Sequence, residues 1–211
     1  MGKNTKGVGG VQAALFNVPV EVLWVDPVGL GTADAGCVCR CVDGCDYVIK
    51  DGAKNALIPH SEWFCSSLAE AVGLACPSFK IIKQLDNSLV FGSRWEGGIL
   101  EEWWKKALNG DISLYEYRPI LSRIFAFDHF VHNVDRHLKN YLFREQREGW
   151  AVLALDYSRA WLCHGFPLPE LPFEPKQNTR KAQRRLKEIF GNVIVPDEAD
   201  ELLNRIRSVT K

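Results

Sequence analysis

The stretch Asn133-Val134-Asp135-Arg136-His137-Leu138-Lys139-Asn140 constrains this chain more than any other segment. It sets an aspartate five residues ahead of an asparagine, with basic side chains between them. A second aspartate, Asp156, follows the apolar run Trp150-Ala151-Val152-Leu153-Ala154-Leu155. Phosphoryl transfer from a nucleotide uses this layout: one carboxylate orients the accepting hydroxyl, then an amide and a second carboxylate hold Mg²⁺ on the phosphates. Nearby basic side chains offset charge that develops on the transferring group. The residues point to a small phosphotransferase.

The rest of the chain suits that reading. Residues 1–17 begin polar and Gly-rich and are expected to be a flexible N-terminus. Strands are expected over 18–25, 37–42 and 46–50, with Gly29–Gly36 as a loop between the first two and Asp43-Gly44-Cys45 as a turn. Ser61–Val72 has the pattern of a helix with Ser61 as its N-cap and Gly73 at its end. Further strands are expected at Phe79–Lys83 and Ser88–Phe91, the second stopping at Gly92. Beyond that the chain turns helical. Leu100–Asn109 and Pro119–His132 show helical spacing, the second through Ile120, Ile124, Phe127 and Val131. Tyr141–Phe143 and Trp150–Leu155 flank a hairpin turn, the four prolines of 165–175 mark an irregular segment, and Thr179–Phe190 and Asp197–Val209 close the chain as helices. The fold class is α+β: a β-rich part with one helix over 18–96, then a mainly helical part over 97–211, with nucleotide expected between them.

Composition narrows the setting. The 211 residues are 46% hydrophobic, enough for a core, and carry 26 basic and 26 acidic side chains, so net charge gives no drive toward nucleic acid or anionic membrane. No apolar run has the length of a membrane span, and the polar start Met1–Lys6 lacks a signal-peptide core, which leaves the cytoplasm as the expected compartment. Seven cysteines without an export signal read as reduced thiols. Cys37, Cys39 and Cys41 alternate along a strand as small apolar side chains, and the spacing on to Cys45 is not a common zinc pattern.

Each candidate has a plainer alternative. Asp135 is read as the catalytic carboxylate; alone it would be a turn-capping loop residue. Asn140 and Asp156 are read as Mg²⁺ ligands, since that cation takes oxygen donors. His137 either contacts the γ-phosphate or supports the loop through hydrogen bonds. Arg136 and Lys139 either touch phosphate or are solvated, and Asn133 shapes the loop backbone. Lys50, closing Tyr47-Val48-Ile49-Lys50, is the phosphate-binding candidate, where a strand-end lysine is usually exposed. Its helical acid partner is expected to be Glu62, with Glu70 as runner-up. Gly31, Thr32 and their backbone amides are candidates for cradling phosphate, although the glycines of that loop do not match G-x-G-x-x-G. Gly92–Glu96 is positioned as an adenine-contacting hinge.

Asn133-x-Asp135-x-His137-x-Lys139-Asn140, also legible as Asp135-Arg136-His137-x-x-Asn140, together with Asp156 after a strand, resembles the HipA-like kinases. The resemblance extends over 18–210 and is specific at 133–156. It implies a bilobal protein-kinase-like fold, with a small β-rich N-lobe carrying one helix and a mainly helical C-lobe. It further implies ATP- and Mg²⁺-dependent transfer to Ser or Thr of a protein or of the chain itself. It places the acid early in the N-lobe helix, as Glu62 is. Members include toxins and regulators held by a partner, so the resemblance leaves three options open: an antitoxin-like or regulatory partner, a separate subunit supplying N-terminal residues that full-length members carry, or no partner at all. Asp156-Tyr157-Ser158 stands where protein kinases have Asp-Phe-Gly, and no Ala-Pro-Glu follows. Two other readings compete: a lipid or small-molecule kinase, and a nucleotide-binding pseudokinase. Direct nucleic-acid binding rests only on Arg180–Arg185, which a solvated helix face explains better.

Overall fold

In the computed structural model of the protein, the described residues are 18–26, 37–96, 103–160 and 174–209. Among them the order is β1 (Val20–Val25), β2 (Val38–Cys41), β3 (Asp46–Lys50), α1 (Ile58–Ala71), β4 (Phe79–Lys83), β5 (Leu89–Arg94), α2 (Trp103–Leu108), α3 (Arg118–Phe130), β6 (Tyr141–Gln146), β7 (Gly149–Ala154), α4 (Asn178–Phe190) and α5 (Pro196–Val209). A short 3-10 turn, Leu138–Asn140, leads into β6. The α+β class follows directly. The expected irregular segment over 165–175 and the loop holding Gly31 and Thr32 lie wholly or largely outside the described residues.

The chain divides into two units, Met1–Asp51 with Ser78–Trp95 and Gly52–Pro77 with Glu96–Lys211. In the first, the five strands close into a barrel in the order β1-β2-β3-β5-β4, antiparallel except where β1 runs parallel to β4. Its interior is Val22, Cys39, Cys41, Tyr47, Ile49, Ile82 and Val90. Cys39 and Cys41, two residues apart, point inward together with their sulfurs 3.7 Å apart. Burial, then the adjacent thiol, pushes the Cys39 pKa up, so these sulfurs behave as core atoms. Among the described residues no group of three or more His, Cys, Asp or Glu could hold a metal ion.

Strand β5 does not stop at Gly92 but continues to Arg94. Here glycine is a packing requirement: a Cβ at 92 would lie 2.4 Å from Ile82 Cγ1 of β4. Gly92 and Ser93 therefore pair within the sheet, opposite Lys80 and Phe79, and do not form a free hinge.

The second unit holds the five helices and the β6–β7 hairpin around one core, which includes Trp103, Leu121, Ile124, Phe127, Phe143 and Leu186. Helix α1 begins at Ile58, three residues before the expected cap. Pro59, pre-set for a helical first turn, starts it. Ser61 is instead fully buried and donates from Oγ to the Tyr157 carbonyl at 2.8 Å. The helix ends as expected at Gly73, whose φ of +73° lets the Gly73 and Leu74 amides reach back to the Glu70 and Ala69 carbonyls. Helix α3 ends the same way, with a non-glycine residue, His132, at φ +51°. The Asn133 amide then bonds the Asp128 carbonyl at 2.8 Å, so this cap delivers the chain directly into the Asn133–Asn140 loop. The expected hairpin is present with a longer first strand, a second strand of the expected length set one residue earlier, and a two-residue turn, Tyr141 opposite Ala154 and Gln146 opposite Gly149. Among the described residues no helix is long and apolar enough to cross a membrane.

Candidate active site

The loop between α3 and β6 is built around a buried arginine. Arg136 and Asp128 are both 0% exposed and form a two-pronged ion pair, Nε to Oδ2 at 2.8 Å and Nη2 to Oδ1 at 2.9 Å. Arg136 Nη1 donates to the Asn140 carbonyl at 3.0 Å and to the Leu155 carbonyl. The guanidinium also lies over the rings of Tyr157 and Tyr141, 5.0 and 5.7 Å from their centroids. Burial opposes its charge, but the Asp128 carboxylate more than compensates and holds its pKa above the ordinary range. The expectation that Arg136 touches phosphate or is solvated is thus corrected: it is the internal tie between α3, the loop and the strand end before Asp156.

Asn133, also buried, works from the other side. Its Oδ1 accepts the Asp135 amide at 3.2 Å, and its Nδ2 donates to Asp128 Oδ1 at 3.1 Å and to the Asp156 carbonyl at 3.3 Å. Trp103 of α2 donates its indole N–H to the Leu138 carbonyl at 2.7 Å and stacks on Phe143. Thr179, at the start of α4, accepts the Arg136 amide at 3.0 Å, donates to the Asn133 carbonyl at 2.5 Å, and gives its own amide to the Val134 carbonyl at 3.3 Å. Asn178 donates from Nδ2 to Asp135 Oδ1 at 2.5 Å. Sequence reasoning missed Asp128, Trp103, Asn178 and Thr179. One signal was present for Asp128: it lies beside Phe127 on the apolar face of α3.

On this frame the chemistry-bearing side chains come together. Asp135 is half-buried at the rim. Asn140 is 6% exposed and donates from Nδ2 to the Asp135 carbonyl at 3.1 Å, which leaves its amide oxygen as the end that can face a cation. The Leu155 amide bonds the Asn140 carbonyl at 3.0 Å, bringing Asp156 beside Asn140. Asp156 has φ +62°, a left-handed backbone that a non-glycine residue adopts at a cost of order 1–3 kcal/mol. Its Oδ1 accepts the Ser158 amide at 3.1 Å, and its carbonyl is held by Asn133. The pair supplies hard oxygen donors, which fits a small divalent cation completed by phosphate and water oxygens. His137 is half-exposed, and its Nδ1 accepts the Lys139 amide at 3.2 Å, a loop-supporting bond.

Glu62 is 3% exposed within α1, whereas Glu70 is exposed. Its Oε1 accepts the Tyr157 amide at 3.1 Å and the Ser158 hydroxyl at 2.8 Å, so the acid chosen from sequence braces the segment after Asp156. Tyr157 is buried against Phe127, and burial pushes its phenol well above its ordinary pKa. Lys50, in the first unit, ends β3 opposite Phe91 and is 6% exposed, unlike an ordinary strand-end lysine. Gly31 and Thr32 lie outside the described residues.

The sequence profile of the HipA-like kinases matches residues 31–164, more than half of the chain. The chain belongs to the HipA-like kinase family. That family carries kinase activity, which implies ATP use and usually a divalent metal. No curated protein matches this HipA-like kinase by sequence. Among solved structures, the Helicobacter pylori proinflammatory kinase CtkA is similar over 90% of this chain and 94% of its own, at 12% identity and a TM-score of 0.55. At that identity the likeness is one of fold, and the fold is kinase-like.

Proposed function

We propose that this HipA-like kinase transfers the ATP γ-phosphoryl group to a serine or threonine hydroxyl of a protein, with Mg²⁺ as its metal. The observation that supports this best is the bonded sequence Asp135–Asn140–Leu155 followed by Asp156, in which a rim carboxylate and two oxygen donors sit on one buried frame. The acceptor hydroxyl bonds the Asp135 carboxylate, whose Oδ1 is already held by Asn178. As the hydroxyl oxygen forms its bond to the γ-phosphorus, the bond from phosphorus to the β–γ bridging oxygen breaks. The hydroxyl proton passes to Asp135, and the electron pair leaves with ADP. Asn140 and Asp156 would hold the cation, which neutralises charge on the phosphates. Lys50 is assigned to the nucleotide phosphates on its residue type, strand position and burial. The serine or threonine acceptor is the one the family resemblance implies, and a partly exposed Asp135, within reach of a hydroxyl on a protein segment, is compatible with it.

Titrating ATP into the wild type and into Asp156→Asn, with Mg²⁺ and with EDTA, tests the metal assignment. Mg²⁺ should tighten binding at least tenfold in the wild type and far less in the variant. A variant that keeps full Mg²⁺-dependent binding and transfer would move the metal site elsewhere.

A further inference from the structure

We propose that the exposed face of α4 is a docking surface for an acidic segment of the protein substrate. This deepens the kinase reading above and rests on it. The helix starts at the candidate base: Asn178 bonds Asp135 at 2.5 Å, and Thr179, 0% exposed, is tied to Asn133, Val134 and Arg136. Whatever lies along α4 is therefore held in fixed relation to the acceptor position.

The charge on that helix is segregated. The whole chain balances 26 basic against 26 acidic residues, yet α4 carries Arg180, Lys181, Arg184, Arg185 and Lys187 against the single acid Glu188. Thr179, Ala182 and Leu186 take the buried side. Helical geometry then sets Arg180, Arg184 and Lys187 in one row and Lys181 and Arg185 in the next, all exposed. Glu188 reaches Arg184 at 3.5 Å and Arg185 at 3.9 Å, contacts between mostly exposed groups that a substrate carboxylate can displace.

The placement is also locally unfavourable for the helix. Arg180 and Lys181 lie in its first turn, where the backbone dipole already presents positive charge and basic residues oppose it. Helix α5 shows the ordinary arrangement, with Asp197 and Glu198 in its first turn. A row of cations kept against the dipole and beside the catalytic loop suits a polyanion that binds there. From Arg180 to Lys187 the row spans roughly 10 Å, about three residues of extended chain. That reach suits carboxylates a few positions from the acceptor. It offers few phosphate contacts for a nucleic acid, and the exposed rows hold no aromatic ring for base stacking.

The test is a degenerate serine/threonine peptide library, phosphorylated with Mg²⁺-ATP by the full chain and by a variant combining Arg180→Gln, Lys181→Gln, Arg184→Gln and Arg185→Gln. Autophosphorylation and labelling of lysate proteins are followed in parallel. The wild type should favour Asp or Glu within a few positions of the acceptor, with about a tenfold advantage of Glu over Gln that salt erodes. In the variant that ratio should fall to near one. Equal use of Glu and Gln by the wild type, or an acidic preference that survives in the variant, overturns the docking surface and leaves the kinase reading standing. Lysate or self labelling without any labelled peptide has the same consequence. Tight binding of a single-stranded RNA 20-mer that the variant loses, without an acidic preference, overturns it in favour of nucleic acid. No transfer to any acceptor defeats the kinase reading, and the docking surface with it.

Discussion

Asn133, Arg136 and Asn140 are buried, while Asp135, His137 and Lys139, set among them in the same loop, reach solvent in part or fully. The buried set bonds to α3, to β7's exit and to α4; the rim set carries the side chains through which an acceptor could be engaged. The difference teaches that part of the loop's polar set serves to hold the loop in place. A charged residue inside a catalytic motif need not touch a phosphate. Arg136 is as charged as Lys139, yet its role is to hold carbonyls and a carboxylate, so changing it should cost stability, whereas changing the rim residue Asp135 should cost transfer and leave the fold standing.

The strongest way to break this comparison is to remove one member of the buried pair. Arg136→Ala or Asp128→Ala strands an uncompensated charge and should cost about 3–5 kcal/mol, a large part of the stability of an ordinary domain. Urea unfolding would read it. The double variant Asp128→Leu/Arg136→Met should retain more stability than either single alanine, because no lone charge remains. If Arg136→Ala unfolded at the wild-type urea concentration, the frame would lie elsewhere.

A smaller effect is expected at the α4 attachment. Thr179→Val keeps the shape and removes the hydroxyl that joins Arg136's amide to Asn133's carbonyl. Leaving those buried groups unbonded should cost about 1–3 kcal/mol. Transfer should fall along with stability, since one of the ties that fix the start of α4, and with it Asn178, to the loop carrying Asp135 is lost. Unchanged melting and turnover would detach α4 from the site.

The smallest effect is expected at Tyr157, where the chain departs from Asp-Phe-Gly. Its hydroxyl is buried with no hydrogen-bond partner among the described residues. Tyr157→Phe should therefore be neutral or stabilising by up to about 1 kcal/mol and should retain transfer. A marked loss would mean that the hydroxyl has a role in turnover.

Much of the site was legible because its signals are local. The Asp135–Asn140 spacing, the apolar run before Asp156 and the helical period of α3 each sit within a short window. What was not legible depends on distant partners. Thr179 meets Asn133 across 46 positions, and nothing near Thr179 announces it. Gly92 read as a strand stop because its reason is Ile82 on the neighbouring strand. Ser61 read as a cap because capping is a local rule, but Pro59 began the helix first and Tyr157, 96 positions away, claimed the hydroxyl. Asp128 was the one recoverable omission: a carboxylate on an apolar helix face demands a buried cation, and Arg136 is the arginine that follows it.

The most direct measurement is single-turnover transfer of labelled γ-phosphate by wild type and Asp135→Ala, with urea unfolding of both proteins run alongside. The expected result is a loss of at least about 100-fold in transfer with stability within about 0.5 kcal/mol of wild type. Wild-type transfer by a folded Asp135→Ala would contradict the assignment of the rim to chemistry.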